Sequence, residues 1–331
     1  MARLAKLFTL VQSVILTSAA ALALPAQAGY EDHPDAAKLI AELEADGFEP
    51  AYVRSVLAKA ERKQSILDAI SRPAEKRLDW GEYRAIFIEP KRIAQGVEFW
   101  NQHRTTLERA EQTYGVPPEI ILAIMGVETR FGRITGNFRV LDALATLGFD
   151  YPRRAEFFRG QLADYFRLVR AEGVDPESLK GSYAGAMGYG QFIPSSFLAY
   201  AVDFDGDGHK DIWDNPTDAI GSIANYFAEH RWRQGEPVIA SPIFDNANVE
   251  DLVNQDLKPE LTLLEWSEKG VTPREALNGD MEATLMRLSS GEKNEYVLGL
   301  HNFYVITRYN HSRLYASAVY ELSQLYAEQI R

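Results

Sequence analysis

From Pro117 to Val127 the chain runs Pro-Pro-Glu-Ile-Ile-Leu-Ala-Ile-Met-Gly-Val, and Glu128 follows directly. The opening prolines and Glu119 mark a helix start. This is the most apolar helical stretch beyond the N-terminal segment, and the rest of the chain has to cover it. Ile121, Ile124 and Met125 lie seven, four and three residues before Glu128, so on a helix they share its side. The Glu128 carboxyl therefore emerges beside apolar surface. Loss of water disfavours a carboxylate and raises its pKa, which suits a general acid at neutral pH. A second assignment fits the same residues, in which Glu128 is paired with Arg130, Arg133 or another base at a helix end. Gly126 leaves room beside the helix, and Gly132 ends it soon after. A two-carboxylate glycosidase would need a partner acid within roughly 5–10 Å. The sequence nominates none, since Asp142 is equally well explained as a helix cap.

The 331 residues contain no cysteine, which removes disulfides, thiolate nucleophiles, iron–sulfur clusters and cysteine-ligated zinc. A net charge of -12 argues against general nucleic-acid binding, which draws its affinity from phosphate neutralisation. The length suffices for two domains or one enlarged domain.

Arg3 and Lys6 precede an uncharged stretch from Leu7 to Leu24, and Ala26-Gln27-Ala28 supplies small residues for cleavage. This is the order of a secretory signal. An uncleaved anchor is the alternative, weakened by Gln12, Ser13, Thr17 and Ser18. Cleavage after Ala28 leaves 303 residues and shifts the net charge from -12 to -14, because Arg3 and Lys6 are lost. The expected mature protein is exported and acidic, with no stable membrane anchor.

Helical patterning fills 35–109, 153–171 and 218–230. After Trp232, glycines, prolines and short apolar segments such as 238–240 and 283–288 suggest strands of a small inserted module. Helical patterning resumes over 302–326. The expected fold class is mainly α (α+β).

Asp203, Asp205 and Asp207 stand at positions one, three and five of a loop, with Gly208 at position six. This spacing wraps oxygen ligands around a calcium ion, and His209 would add its backbone carbonyl. Asp214, at position twelve, and Asp218 both compete to close the shell. From Gly181 to Gly190 the chain has four glycines, with neither a dinucleotide-fold nor a P-loop context. They either admit a bulky ligand close to the backbone, with Ser182 and Gln191 adding hydrogen-bonding groups, or allow tight packing at a turn. Tyr83, Tyr189, Tyr226, Tyr309 and Tyr315 carry apolar faces with polar tips, suited to stacking on sugars.

The blocks 123–132 (Ala-Ile-Met-Gly-Val-Glu-Thr-Arg-Phe-Gly), 141–147 (Leu-Asp-Ala-Leu-Ala-Thr-Leu) and Tyr151-Pro152-Arg153-Arg154 follow one another in the order of a known family. So do 185–192 (Gly-Ala-Met-Gly-Tyr-Gly-Gln-Phe), the loop 203–209, the block 218–222 and 302–310 (Asn-Phe-Tyr-Val-Ile-Thr-Arg-Tyr-Asn). Across about 35–325 the chain resembles the membrane-bound lytic murein transglycosylase B (MltB) family, as a soluble member. The resemblance implies a lysozyme-like helical core with a helical α-domain and a small β-containing insertion. It implies a signal peptide at 1–28, the α-domain at 29–110 and the catalytic core with its calcium loop at 111–233. The β-containing domain follows at 234–300, and 301–331 completes the core. Glu128 matches the single catalytic acid/base, with Ser182 close to it. Tyr83, Arg153, Arg154, Gln191, Tyr226, Tyr309, Asn310 and Tyr315 match glycan or peptide subsites. Structural calcium is implied on Asp203, Asp205, Asp207, the His209 carbonyl and Asp218, with no organic cofactor. The implied activity is cleavage of the β-1,4 bond between N-acetylmuramic acid and N-acetylglucosamine in peptidoglycan, leaving 1,6-anhydromuramoyl ends. The implied compartment is the periplasm and the implied partners are glycan strands; cell-wall synthases or amidases are not identified by any motif. A water-using muramidase and a non-catalytic glycan-binding protein are the rival functions.

Overall fold

The computed structural model describes residues 29–71, 78–245 and 248–330. The expected signal segment 1–28 lies outside the described residues. The N-terminal helices are α1 (Ala36–Ala45), α2 (Pro50–Leu57), α3 (Gln64–Ser71), α4 (Trp80–Phe87) and α5 (Pro90–Tyr114). In α1 the buried positions Leu39, Ile40 and Leu43 form one stripe. α4 opens on a capping box in which Asp79 and Glu82 each accept the other's backbone N–H. α5 stops at Gly115, which takes the left-handed conformation.

The apolar run becomes α6 (Pro118–Thr129), buried along nearly its whole length. A helix apolar all round has to be enclosed by other elements. Here α5, α10 (Pro216–Glu229) and α13 (Arg313–Ile330) pack against it. Between α6 and α10 come β1 (Phe138–Arg139), α7 (Val140–Asp150), α8 (Ala155–Glu172), β2 (Lys180–Gly181) and α9 (Pro194–Tyr200). β1 and β2 pair antiparallel and bring 138–139 against 180–181. One hydrophobic core runs from the N-terminal helices through α6 to Tyr326. The boundary expected at 110 falls inside α5.

After α10 the chain builds β3 (Ile239–Ala240), β4 (Pro242–Phe244), β5 (Leu261–Thr262), α11 (Leu263–Glu268), β6 (Val271–Pro273), β7 (Glu282–Ser290) and β8 (Lys293–Gly299). The sheet order is β3-β8-β7-β5, with β4 and β6 paired separately. This insertion has its own small core around Trp266, Val271, Leu285 and Leu298. The short helix α11 had no counterpart in the sequence reading, although the Thr262/Glu265 capping box announces it.

The helical pattern over 302–326 is two helices, α12 (His301–Tyr309) and α13. Asn310 is extended between them, and Ser312 Oγ accepts from the Tyr315 N–H at 3.3 Å. Asn and Ser offer the backbone local bonds that compete with a continuous helix, and the break follows. α13 also carries Tyr326 between α5 and α6. A Cβ on Gly96 would lie 2.2 Å from the Tyr326 ring, and one on Gly126 would lie 3.0 Å from its hydroxyl. That hydroxyl donates to the Arg92 carbonyl at 3.1 Å.

Candidate active site

Glu128 occupies the last turn of α6 and is half-buried. Immediately beyond it Arg130, Phe131 and Gly132 all have positive φ, so the chain turns away sharply. Thr129 secures that turn. Its hydroxyl donates to the Tyr189 carbonyl at 2.9 Å and accepts from the Gly132 N–H at 3.0 Å. Thr129 was missed in the sequence; a fully buried threonine beside the candidate acid is visible only once the fold is known.

The two arginines that could have neutralised Glu128 are engaged elsewhere. Arg130 pairs with Glu89, and Arg133 with Glu98 at 3.3 Å. Glu128 Oε1 instead accepts from the Tyr315 hydroxyl at 2.6 Å. Burial pushes the Glu128 carboxyl up to about 7, and the Tyr315 bond partly opposes the rise. Tyr83, Tyr309 and Tyr315 all feel the Glu128 charge, and burial holds their phenols above the usual range. Among the described residues, neutral phenols rather than cations therefore surround the carboxyl. With Oε1 taken as an acceptor, a proton on Glu128 belongs on Oε2. A carboxyl protonated near neutrality and flanked by a fixed donor can give up one proton and recover another.

The remaining sequence-derived residues fall in several settings. Ser182 Oγ accepts from the N–H groups of Ala184 and Ala186, at 3.3 and 3.1 Å. Among the described residues no hydrogen bond joins it to Glu128. Gln191, at φ +52°, donates through Nε2 to the carbonyls of Thr135 and Gly188. Tyr309 donates to the Gly190 carbonyl at 2.6 Å. Tyr226 is buried against Tyr309 and donates to the Arg308 carbonyl. Asn310 is exposed. Arg153 and Arg154 are exposed just before α8, with the Arg154 guanidinium 4.3 Å from the Phe157 ring centre. Asp142 is buried and ion-paired to Arg139 at 2.6 Å, and it accepts from the Glu61 N–H. It braces the N-terminal helices against α7.

The geometry settles the use of the glycines. A Cβ at Gly181, Gly185 or Gly188 would come within 2.2, 2.5 and 2.3 Å of Ala186, Leu144 and Ile212 respectively. Tight packing of the chain on itself, rather than room for a ligand, requires glycine there.

In the acidic loop, one carboxylate oxygen each from Asp203, Asp205 and Asp218 lies within 4.8 Å of the others. Asp218 is fully buried. Its oxygens accept from the N–H groups of Phe204 and Asp211, at 2.7 and 2.8 Å. Asp203 accepts from Gly206 and Gly208, and Asp205 from the Asn215 amide. Three converging carboxylates are thus answered by neutral donors, a set that fits a divalent cation with oxygen ligands. Asp207 accepts from the His209 N–H and is not part of this triad. Asp218, not Asp214, joins it.

Comparison with known proteins gives a consistent result. The model of the Transglycosylase SLT domain matches residues 31–324. The chain is 46% identical over 308 residues to membrane-bound lytic murein transglycosylase B of Escherichia coli (strain K12), covering 90% of this chain and 84% of that protein. The soluble lytic transglycosylase SltB1 of Pseudomonas aeruginosa superposes with a TM-score of 0.85 at 53% identity, covering 89% of this chain and 99% of that one. The Escherichia coli lytic transglycosylase Slt35 in complex with calcium gives 0.82 at 45% identity, covering 92% and 96%. No helix of the described residues is long and apolar enough to cross a membrane. A helical, lysozyme-like core that sets one carboxyl among phenols thus coincides with a match along nearly the whole chain, and the protein belongs to the MltB family of lytic murein transglycosylases, enzymes of peptidoglycan.

Proposed function

We propose that the enzyme cleaves between N-acetylmuramic acid and N-acetylglucosamine by non-hydrolytic transfer, with Glu128 alone as acid and base. The observation that carries this is the Glu128 carboxyl itself, raised to about 7 and held by Tyr315. Protonated Glu128 gives its proton from Oε2 to the glycosidic oxygen as the C1–O bond breaks. Positive charge develops on the muramoyl C1 and ring oxygen. The Glu128 carboxylate then accepts the proton of the muramoyl C6 hydroxyl, whose oxygen bonds to C1. The products are a 1,6-anhydro end and a free N-acetylglucosamine end. Glu128 finishes protonated, and no water is consumed. A tethered nucleophile has a high effective concentration, so a second carboxylate is unnecessary.

Calcium would sit on Asp203, Asp205 and Asp218, supported by their convergence, and would brace the loop through charge neutralisation. Tyr83, Tyr309 and the exposed Arg153 and Arg154 are proposed to contact glycan and peptide. The signal-like segment supports action in the periplasm.

The test is mass spectrometry of sacculi digested with the parent enzyme and with Glu128→Gln. Anhydromuramoyl ends from the parent, and their loss in the variant, are expected. Exclusively hydrated ends would identify a muramidase instead. Equal release by both proteins would remove Glu128 from the chemistry.

A further inference from the structure

A cavity of about 440 Å³ opens where the insertion meets the turn between α12 and α13. Asn254, Asp256, His311 and Arg313 line it, with Met286 behind. It adjoins the catalytic region through the chain itself, because 311–314 separate Asn310 from Tyr315.

Two opposite charges share this space. Arg313 is half-buried, and its Nε is buried with no hydrogen-bond partner among the described residues. Because Nε is buried, a ligand in the cavity can meet only the terminal nitrogens of the guanidinium. Asp256, which is exposed, lines the same cavity. Its Oδ1 accepts from the N–H groups of Leu257 and Lys258, at 2.6 and 3.1 Å, and these bonds hold its carboxyl below the usual range. The loop carrying Asp256 is fixed to β7. Asn254 Oδ1 accepts from the Arg287 N–H at 3.0 Å, and the Thr284 hydroxyl donates to the Asp256 carbonyl at 2.7 Å. Among the described residues no ion pair joins Arg313 to Asp256. A lone carboxylate ligand would meet repulsion from Asp256, and a lone ammonium would meet repulsion from Arg313. A ligand carrying both charges satisfies both residues.

We propose that this cavity binds a zwitterionic α-amino-acid head, with its carboxylate on Arg313 and its ammonium on Asp256. The occupant is the free end of a diaminodicarboxylic-acid residue in the peptide stem of the murein substrate, whose side chain ends in both an ammonium and a carboxylate; the assignment rests on the murein reading above. Cross-linking converts that ammonium into an amide and removes one of the two charges. The site therefore favours strands whose stems are not cross-linked.

Calorimetric titration of full-length protein carrying Glu128→Gln tests this without turnover. Three probes are needed: a peptide-free murein tetrasaccharide, the same glycan with tripeptide stems ending in the diaminodicarboxylic acid, and that glycan with the side-chain amine acetylated. The free stem should tighten binding about tenfold over the bare glycan. Arg313→Gln, Asp256→Asn or acetylation should each abolish most of the gain while leaving the bare-glycan affinity unchanged. Asp256→Asn should have no further effect on the acetylated probe. Unchanged binding of the free-stem probe by both variants would overturn the proposal. Asp256 is exposed, so its variant carries the test should Arg313→Gln fail to fold. If the bare glycan does not bind, the glycan reading fails separately. The sugar-free tripeptide, followed by the His311 ring signals, then tests the cavity alone, and unperturbed signals would reject it.

Discussion

The Tyr315 hydroxyl donates to Glu128 Oε1 at 2.6 Å across 187 residues of chain. This bond favours the ionised carboxyl, whereas burial favours the neutral one, and the latter is the larger effect. Tyr315→Phe removes the bond and leaves the burial. The Glu128 pKa should rise further above about 7, moving the alkaline limb of kcat/KM upward. Loss of a charge-assisted bond should lower kcat about tenfold or more. A pH–rate profile measures both effects, and an unmoved limb would show that the bond does not tune the acid.

Parent activity should fall as pH rises through about 7, because the general acid then loses its proton. Stability follows the same group. The folded-state pKa lies above the unfolded value, so the contribution is fully present below about 4.5 and is lost as pH rises through about 7. That loss is on the order of 3 kcal/mol. Glu128→Gln should melt like the parent near pH 4 and above it near pH 8, as read by thermal denaturation at both values. Equal melting at pH 8 would contradict the burial cost.

Calcium added to chelated protein should raise the melting temperature, with a gain of about 3 kcal/mol at a hundredfold excess over Kd. Asp218→Asn should abolish the response and Asp214→Asn should preserve it, because only Asp218 converges with Asp203 and Asp205. Calcium-independent melting of the parent protein would exclude the site.

Gly96→Ala should destabilise the protein by about 1–3 kcal/mol, since the new methyl meets the Tyr326 ring. Gly160, inside α8, has open space around its missing side chain. Gly160→Ala should therefore stabilise by about 0.5–1 kcal/mol through helix propensity. Denaturant unfolding of the pair separates close packing from propensity.

The helix carrying Glu128 could be read from sequence because it depends on local periodicity, whereas the acidic loop could be read only in part, since its spacing also nominated Asp207, which stays outside the triad of Asp203, Asp205 and Asp218. The partner of Glu128 could not, because Tyr315 reaches it only after α13 has folded back on α6. Arg130 sits two residues from Glu128 yet pairs with Glu89, a choice made by tertiary packing. The break at Asn310–Ser312 was masked by apolar spacing that continues on both sides. The glycines at 181, 185 and 188 carried an ambiguous signal, since a missing Cβ serves a ligand or a neighbouring chain equally well in one dimension.

The place of α13 also bears on biogenesis. It contributes Tyr315 to the acid and lodges Tyr326 between α5 and α6, yet it is synthesised well after both of them. A nascent chain that has emerged only as far as α12 carries Glu128 without its hydrogen-bond donor and without the cover that α13 gives α6. The acid thus acquires its working environment only after α13 has been made and has folded back on α6, so the order of the chain delays the assembly of the site well beyond the synthesis of Glu128 itself.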